Sequence, residues 1–277
     1  MQTVTLPCGE RVPAFGMGTW HFGDDARTRQ QEIATLRLGL DLGARLIDTA
    51  EMYGGGRAEE IVGEAIRDRR DEVFLVSKVL PSHATRHGTK AACERSLRFL
   101  KTDRIDLYLL HWHESVPVLE TIAGFKDLQR EGKIRHFGVS NLDLDEMKEW
   151  WTTPGGDQAQ TNQLLYNLVR RGIEWDLLPW LREHKIPVMA YSPIEQAQLV
   201  ADKRLIGFAR HHGMTTAQAA LGWLLSKKDV IVIPKTSNPE RLKENFGALE
   251  HPLSKAQIAE LEELFPAPKE PKGLEML

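Results

Sequence analysis

Residues 44–78 read ARLIDTAEMYGGGRAEEIVGEAIRDRRDEVFLVSK and contain two short apolar runs that each end in a charged side chain. The first run ends at Asp48 and the second at Lys78, and a third run further along the chain ends at His111. Short apolar runs bounded by turn residues are typical of buried strands. Because the C-terminal ends of parallel barrel strands point into one shared mouth, these three side chains are predicted to meet there.

Strand and helix patterns alternate along the whole chain. Residues 3–14 predict a short hairpin around a turn, and about eight strands follow, each succeeded by a helix. Strict alternation predicts parallel strands joined by right-handed crossovers. At 277 residues the chain has the usual size of one eight-fold barrel. We therefore predict the α/β class, with one (β/α)8 TIM barrel domain over 1–277, an N-terminal β-hairpin and extra helices.

An open doubly wound sheet is the alternative fold. Gly16 and Gly18 resemble the start of a dinucleotide-binding fingerprint, but His21 stands where its third glycine belongs. Asp41, the acid about 20 residues further on, falls inside a helix pattern. The closed barrel is therefore the favoured interpretation.

Composition excludes several classes of function. The net charge of −3 provides no positive field for polyanions, so no nucleic-acid partner is expected. No stretch reaches the roughly 18 apolar residues of a membrane span, and the N-terminus lacks a signal-peptide core, so a cytoplasmic protein without a membrane partner is predicted. Cys8 and Cys93 lack paired spacing, which argues against a disulfide framework and a thiolate metal site. We expect no metal, and a monomer.

The strand-end residues have complementary roles in proton transfer. Singly, each could be a cap, a solvated end or a core histidine, but their recurrence at three strand ends favours a shared site. Lys78 beside Tyr53 would favour the phenolate, and Asp48 would supply the counter-charge that a buried ammonium needs. His111 could donate a hydrogen bond to a carbonyl oxygen. Tyr53 is therefore predicted to act as a general acid when a hydride reaches the carbonyl carbon.

Further segments carry a more specific pattern. They read GMGTW at 16–20, RLIDTAEMYG at 45–54, FLVSK at 74–78, DLYLLHW at 106–112, GKIRHFGVSN at 132–141, TNQLLYN at 161–167, VMAYSP at 188–193 and IPKTSNPERLKEN at 233–245. Together they resemble the aldo-keto reductase family over nearly the whole chain. The short loop after His111 is similar to that of compact bacterial members that reduce methylglyoxal or keto-gluconates.

This resemblance implies NADPH-dependent reduction of small aldehydes or ketones. It implies a catalytic tetrad of Asp48, Tyr53, Lys78 and His111, with Tyr53 as the proton donor. The positions that it implies for cofactor binding are Thr19, Trp20, Ser140, Asn141, Gln163, Tyr191, Ser192, Pro193, Ile194, Lys235, Thr236, Ser237, Arg241, Glu244 and Asn245. Trp20 and Trp112 stand beside the predicted mouth and are expected to wall a narrow pocket for a small carbonyl substrate.

Alternatives remain at this stage. A non-catalytic nicotinamide-binding protein could keep the same fold, because a fold alone does not determine a function. A phosphate-sugar isomerase would need a glycine-rich phosphate loop after the seventh or eighth strand, and the sequence has none there. The stretch after Ser192 also lacks glycines, so its closure over a cofactor is open. The proline-rich tail, with apolar Leu274, Met276 and Leu277 at its tip, could be disordered or lie across the barrel.

Overall fold

An antiparallel hairpin opens the chain in the computed structural model, which describes residues 2–277. Its strands are β1 (Thr3–Thr5) and β2 (Arg11–Pro13), and Val4 and Val12 face each other on its buried side. The predicted N-terminal hairpin is therefore confirmed.

Eight parallel strands form the main sheet, in the same order as they occur in the chain. They are β3 (Gly16–Gly18), β4 (Leu46–Asp48), β5 (Phe74–Val79), β6 (Ile105–Leu110), β7 (Ile134–Ser140), β8 (Asn162–Leu165), β9 (Val188–Tyr191) and β10 (Val230–Val232). Parallel bridges from Phe15 to Val232 and from Gly18 to Lys235 join the two edges of this sheet. An open doubly wound sheet would instead reverse its strand order, so the predicted barrel is confirmed.

Helices surround the barrel. The α-helices are α1 (Arg29–Leu42), α2 (Arg57–Ala65), α3 (Arg86–Leu100), α4 (Val118–Arg130), α5 (Leu144–Thr152), α6 (Leu177–Glu183), α7 (Lys203–His211), α8 (Thr216–Leu225), α9 (Pro239–Glu250) and α10 (Lys255–Leu264). Short 3-10 turns cover Ala26–Thr28, Tyr53–Gly56, Arg70–Glu72, Pro81–His83, Gly156–Gln158, Gly172–Glu174, Glu195–Ala197 and Leu199–Ala201. No helix within residues 2–277 is long and apolar enough to cross a membrane.

The hairpin covers the N-terminal end of the barrel. Glu10 in its turn accepts hydrogen bonds from Arg135 at the start of β7, at 2.8 and 2.9 Å. The Cys8 amide donates to the Gln160 side chain, just before β8, at 2.9 Å. With this end closed, the strand C-termini at the other end are left to form the mouth.

Every residue of β5 and β6 is buried, as expected for parallel strands covered on both faces. The runs are therefore almost wholly apolar, and polar side chains within them stand out. In β5 these are Ser77, which faces the helix layer, and Lys78, which faces the barrel interior, because successive side chains alternate between the two faces.

The proline-rich tail lies across the mouth of the barrel rather than away from it. Leu274 packs against the hydrophobic core, and Glu275 pairs with Arg170 at 2.7 Å. Met276 and Leu277 then reach the cavity at the strand C-termini. Of the two possibilities that the sequence leaves open, the structure has the tail folded onto the barrel.

One helix begins earlier than its sequence indicates. Gly88 predicts a loop around His83 and His87, yet α3 begins at Arg86 and contains His87. Thr85 caps the helix by accepting the Gly88 amide at 3.1 Å, and a Cβ on Gly88 would lie only 2.5 Å from the His83 carbonyl oxygen. Gly88 is therefore needed because the His83 backbone approaches it closely, and it does not end the helix.

Helix α2 packs closely against α3 at Gly63, and this contact predicts how a substitution there changes stability. A Cβ on Gly63 would lie 2.5 Å from the Leu100 carbonyl oxygen, so Gly63→Ala should destabilise the protein by about 1 to 3 kcal/mol. Gly207→Ala is the matched control, because a Cβ there meets nothing within 4 Å. That helical site should gain about 0.5 to 1 kcal/mol. Urea unfolding measures the free energy of unfolding of both variants. Equal changes in the two would contradict the packing argument.

Candidate active site

A cavity of about 610 Å³ opens at the C-terminal ends of the barrel strands. The predicted site residues that line it are Thr19, Trp20, Asp48, Tyr53, His111, Trp112, Ser140, Asn141, Gln163, Tyr191, Ser192, Pro193, Ile194, Lys235, Thr236, Arg241, Glu244 and Asn245. Two predicted residues do not line it. Lys78 lies behind Tyr53, and the Ser237 carbonyl instead accepts a bond from Thr35 of α1 at 3.0 Å.

A buried chain of hydrogen bonds links the floor of the cavity. The Lys78 ammonium has no solvent exposure and donates to the Asp48 carboxylate at 2.9 Å and to the Thr49 carbonyl at 2.8 Å. The same nitrogen lies 3.2 Å from the Tyr53 hydroxyl. Asp48 and Lys78 therefore meet as the strand-end pattern predicts, and Tyr53 from the following loop joins them, with Lys78 between a carboxylate and a phenol.

Burial has the largest effect on the pKa values of Tyr53 and Lys78. It raises the pKa of Tyr53 well above its ordinary value, and the Asp48 carboxylate adds to that effect. Burial also lowers the pKa of Lys78, while Asp48 opposes that change. The net pKa of Tyr53 is therefore raised, not lowered as the contact with Lys78 alone predicts, because burial disfavours the phenolate and the Asp48 charge adds to that effect. The Tyr53 hydroxyl therefore keeps its proton near pH 7.

The His111 ring forms one wall of the cavity. Burial, assisted by the Lys78 charge, lowers its pKa to about 2, so the imidazole is neutral near pH 7. Its ring centroid lies 5.8 Å from that of Tyr53, and Trp112 packs edge-on against it at 5.0 Å. A neutral imidazole can donate one hydrogen bond to a bound oxygen without adding charge.

Amide and hydroxyl groups form the opposite wall. Gln163 donates to the Asp48 carboxylate at 2.8 Å, and Asn141 donates to the His111 carbonyl at 3.1 Å. The Tyr191 hydroxyl donates to the Asn141 side chain at 2.9 Å. Ser140 donates to the Gln163 carbonyl at 2.9 Å. These bonds orient the Tyr191 ring as a half-buried flat surface on the cavity wall.

Positive charge collects at one end of the cavity. Lys235 and Arg241 both line it, and neither side chain pairs with a carboxylate in the described part of the chain. Asn238 caps α9 by accepting the Glu240 and Arg241 amides at 2.9 and 3.2 Å. The positive end of this helix adds to the field of the two cations, so this end can receive an anion.

The loop after β9 has an unusual backbone. Glu195, Gln196 and Ala197 have φ values of 50°, 50° and 73°, a region that side chains other than glycine rarely adopt. The buried Glu195 carboxylate compensates by accepting bonds from Asn167 at 2.7 Å and from Arg170 at 2.7 Å. The loop therefore borders one side of the cavity without glycines, and its closure over a cofactor stays a prediction to test.

Several lining residues escape prediction from the sequence. They are Gly18, His21, Met52, Gln196, Ala197, Val200, Thr216, Ala217, Ile233, Met276 and Leu277. Most lie on loops or helix ends, where no periodic pattern marks an inward side chain. The apolar tip of the tail was the one visible signal among them, because isolated leucine and methionine after a proline-rich stretch need a surface to cover.

A second cluster of polar side chains lies at the other end of the barrel. Within residues 2–277, potential ligand atoms of Cys8, Glu10 and His136 lie within 4.8 Å of one another. His136 is 2.7 Å from Glu10, and both Glu10 oxygens already accept bonds from Arg135. These polar contacts account for the arrangement without a metal ion.

Comparison with known proteins agrees with this geometry. The sequence model of the Aldo/keto reductase family matches residues 14–265. Methylglyoxal reductase YeaE of Escherichia coli is 48% identical over 271 residues, covering 96% of this chain and 95% of that protein. Methylglyoxal reductase DkgA of Escherichia coli is 31% identical, covering 94% of this chain and 92% of that protein.

A solved structure extends the likeness to the whole fold. The aldo/keto reductase from Klebsiella pneumoniae, in complex with NADP and acetate, superposes with a TM-score of 0.96 at 47% identity. The match covers 100% of this chain and 99% of that one. With its barrel, its Asp–Tyr–Lys–His mouth and the family match over residues 14–265, this chain belongs to the aldo/keto reductase family of oxidoreductases.

Proposed function

We propose that this chain reduces small aldehydes and ketones to alcohols with NADPH, and that Tyr53 donates the proton. Methylglyoxal-like dicarbonyls and keto sugars are the proposed substrates. The observation that carries the proposal is the buried Asp48–Lys78–Tyr53 chain on the cavity floor, with the neutral His111 ring beside it. A binding protein without catalysis has no evident need to bury a lysine against a phenol.

Each of the four residues has a separate task. His111 donates a hydrogen bond to the carbonyl oxygen and holds it near the Tyr53 hydroxyl. The reduced nicotinamide supplies a hydride to the carbonyl carbon when it is bound. The Tyr53 O–H bond breaks as negative charge grows on the substrate oxygen, and the proton moves to that oxygen.

The phenolate that remains is the costly species. Lys78, 3.2 Å away, stabilises it with an ammonium that is already in position, so no reorganisation accompanies the proton transfer. Asp48 keeps that ammonium charged and oriented at 2.9 Å. The high pKa of the buried phenol then ensures that Tyr53 still holds its proton before the reaction.

The cavity residues fit a dinucleotide with a phosphate at one end. The flat Tyr191 ring is suited to stacking on a nicotinamide, and the Ser140, Asn141 and Gln163 side chains to its carboxamide. At the other end, Lys235 and Arg241 supply two cations that form no ion pair with a carboxylate within residues 2–277. An extra 2′-phosphate is the anion that separates NADPH from NADH, so this charge supports NADPH.

The mouth supports a small substrate. Trp20 packs against Tyr53 with ring centroids 4.8 Å apart, and Trp112 packs against His111. The tail residues Met276 and Leu277 add an apolar edge to the same cavity. Aromatic walls this close to the acid leave room for a short carbonyl compound.

The proton donor can be tested by removing one hydroxyl. Tyr53→Phe should retain NADPH binding and lose turnover by a factor on the order of 100 or more. Steady-state kinetics with methylglyoxal and a fluorescence titration of NADPH measure the two effects. Tyr166→Phe is the matched control, because its hydroxyl bonds Glu174 outside the cavity, and its turnover should stay near that of the parent. Undiminished turnover in Tyr53→Phe would refute the assignment.

Cofactor choice can be tested at Arg241. Losing a charge-assisted phosphate contact costs about 1.5 to 3 kcal/mol, so Arg241→Ala should weaken NADPH binding roughly ten-fold to over a hundred-fold. NADH has no 2′-phosphate and should bind nearly as before. Lys243→Ala, on the same helix but paired with Glu240 at 2.9 Å, is the control. Equal losses for both cofactors would show that Arg241 does not read the phosphate.

Substrate size can be tested with a graded panel. Specificity constants measured by NADPH consumption should be highest for methylglyoxal and other small polar carbonyls and should fall toward bulky ketones. A steady rise toward steroid-sized substrates would contradict the narrow mouth. Cofactor binding without consumption for any carbonyl would instead favour a nicotinamide-binding protein of the same fold.

A further inference from the structure

A second buried carboxylate lies on the other side of the strand that carries Lys78. Glu59, in the first turn of α2, has no solvent exposure. Its Oε1 accepts a hydrogen bond of 2.6 Å from the hydroxyl of Ser77, the residue directly before Lys78. Because neighbouring side chains of a strand point to opposite faces, Glu59 lies behind the barrel wall and Lys78 in front of it.

This carboxylate lacks the partners that a buried charge normally has. Its Oε2 has no hydrogen-bond partner among residues 2–277, and no Lys, Arg or His nitrogen there pairs with it. A buried acid without a cation should be replaced by an apolar residue unless its charge has a use. The proposed mechanism uses Asp48 as the counter-charge and leaves Glu59 without a role.

Among the groups of the described chain whose charge acts on Glu59, the one cation is Lys78. The loop before α2 presents Glu51, which is already paired with Arg95 at 2.9 Å and with His83 at 3.0 Å. From α3 come the Ser96 hydroxyl and the Cys93 thiol, and from β6 the Tyr108 hydroxyl. Burial raises the pKa of the Cys93 thiol and of the Tyr108 phenol, so both stay neutral at working pH.

Resting on the proposed function, we propose that Glu59 is a positioning residue whose negative charge, acting through the β5 wall, keeps Lys78 protonated for proton transfer by Tyr53. Lys78 needs this support because burial disfavours its ammonium, and Glu59 acts on it in the same direction as Asp48. Asp48 of β4 then contacts the ammonium directly, and Glu59 of α2 acts on it from the other side of β5.

The pH range follows from the protonation of Glu59 itself. Burial raises its pKa to about 7, while the Ser77 and Ser96 hydroxyls and Lys78 oppose that rise. As pH rises through neutrality, Glu59 therefore acquires the negative charge that favours the Lys78 ammonium.

The decisive variant is Glu59→Gln, which keeps the shape and a hydrogen-bonding oxygen for Ser77. The pKa of Lys78 should fall on the order of one pH unit, as is usual when a neighbouring opposite charge is removed. NMR titration of labelled lysine measures this without turnover, with Lys78→Met identifying the signal. The alkaline limb of the pH profile of kcat/KM should move to lower pH by a similar amount.

Two further variants separate charge from structure. Glu59→Asp keeps the charge and should restore the alkaline limb even if the protein melts earlier. Glu60→Gln removes a charge from the adjacent position of α2, where Glu60 faces Arg29 at 3.8 Å, and should leave the limb unchanged. If Glu59→Gln fails to fold, Ser77→Ala should move the limb in the same direction, because it removes the bond that favours the ionised carboxylate.

Thermal unfolding checks the titration of Glu59 itself. Its pKa in the folded chain lies above the ordinary value of 4.5, so the stability it contributes is present in acid and lost as pH rises through about 7. The melting temperature of the parent should therefore fall relative to that of Glu59→Gln as the pH rises from about 5 to about 8. An unchanged Lys78 pKa and an unchanged limb in an active Glu59→Gln enzyme would overturn the inference. Absence of turnover in the parent chain would overturn the proposed function instead.

Discussion

A lysine ammonium without solvent exposure, held 2.9 Å from a buried carboxylate, is the constraint on which the site depends. Removing an ammonium from water is costly, and the cost is offset only if its partners stand at the correct distance. Those partners come from the adjacent strand and the loop after it. Asp48 pairs with Val76 across β4 and β5, so the register of these two strands sets the ion pair. A slip of one residue would turn Lys78 out of the barrel.

The same constraint explains why so little of the site is exposed. The Tyr53 ring centroid lies 4.8 Å from the ammonium, and Asp48 also accepts a bond from Gln163 of the distant strand β8 at 2.8 Å. The charged groups are therefore tied to both sides of the mouth before any ligand arrives. Preorganised charges of this kind are worth more in a water-poor cavity than at a surface.

One guanidinium holds both the loop after β9 and the C-terminal tail at the cavity. Arg170, after β8, pairs with Glu195 in the strained loop and with Glu275 in the tail. Three segments far apart in the chain meet at this side chain, and both the loop and the tail border the cavity. The positive φ values at 195–197 persist because this network surrounds the loop. The loop after β9 and the C-terminal tail are in this way part of the cavity lining.

The order of strands and helices, and hence the barrel, can be predicted from the sequence because each element has its own periodicity. The sequence also placed Asp48, Lys78 and His111 at strand ends, where topology brings them together. Tertiary structure alone decided the protonation of Tyr53, the isolation of Glu59 behind β5 and the course of the tail. Desolvation depends on which atoms surround a group, and loop or tail contacts depend on neighbours distant in the chain. No local pattern of residues encodes either quantity.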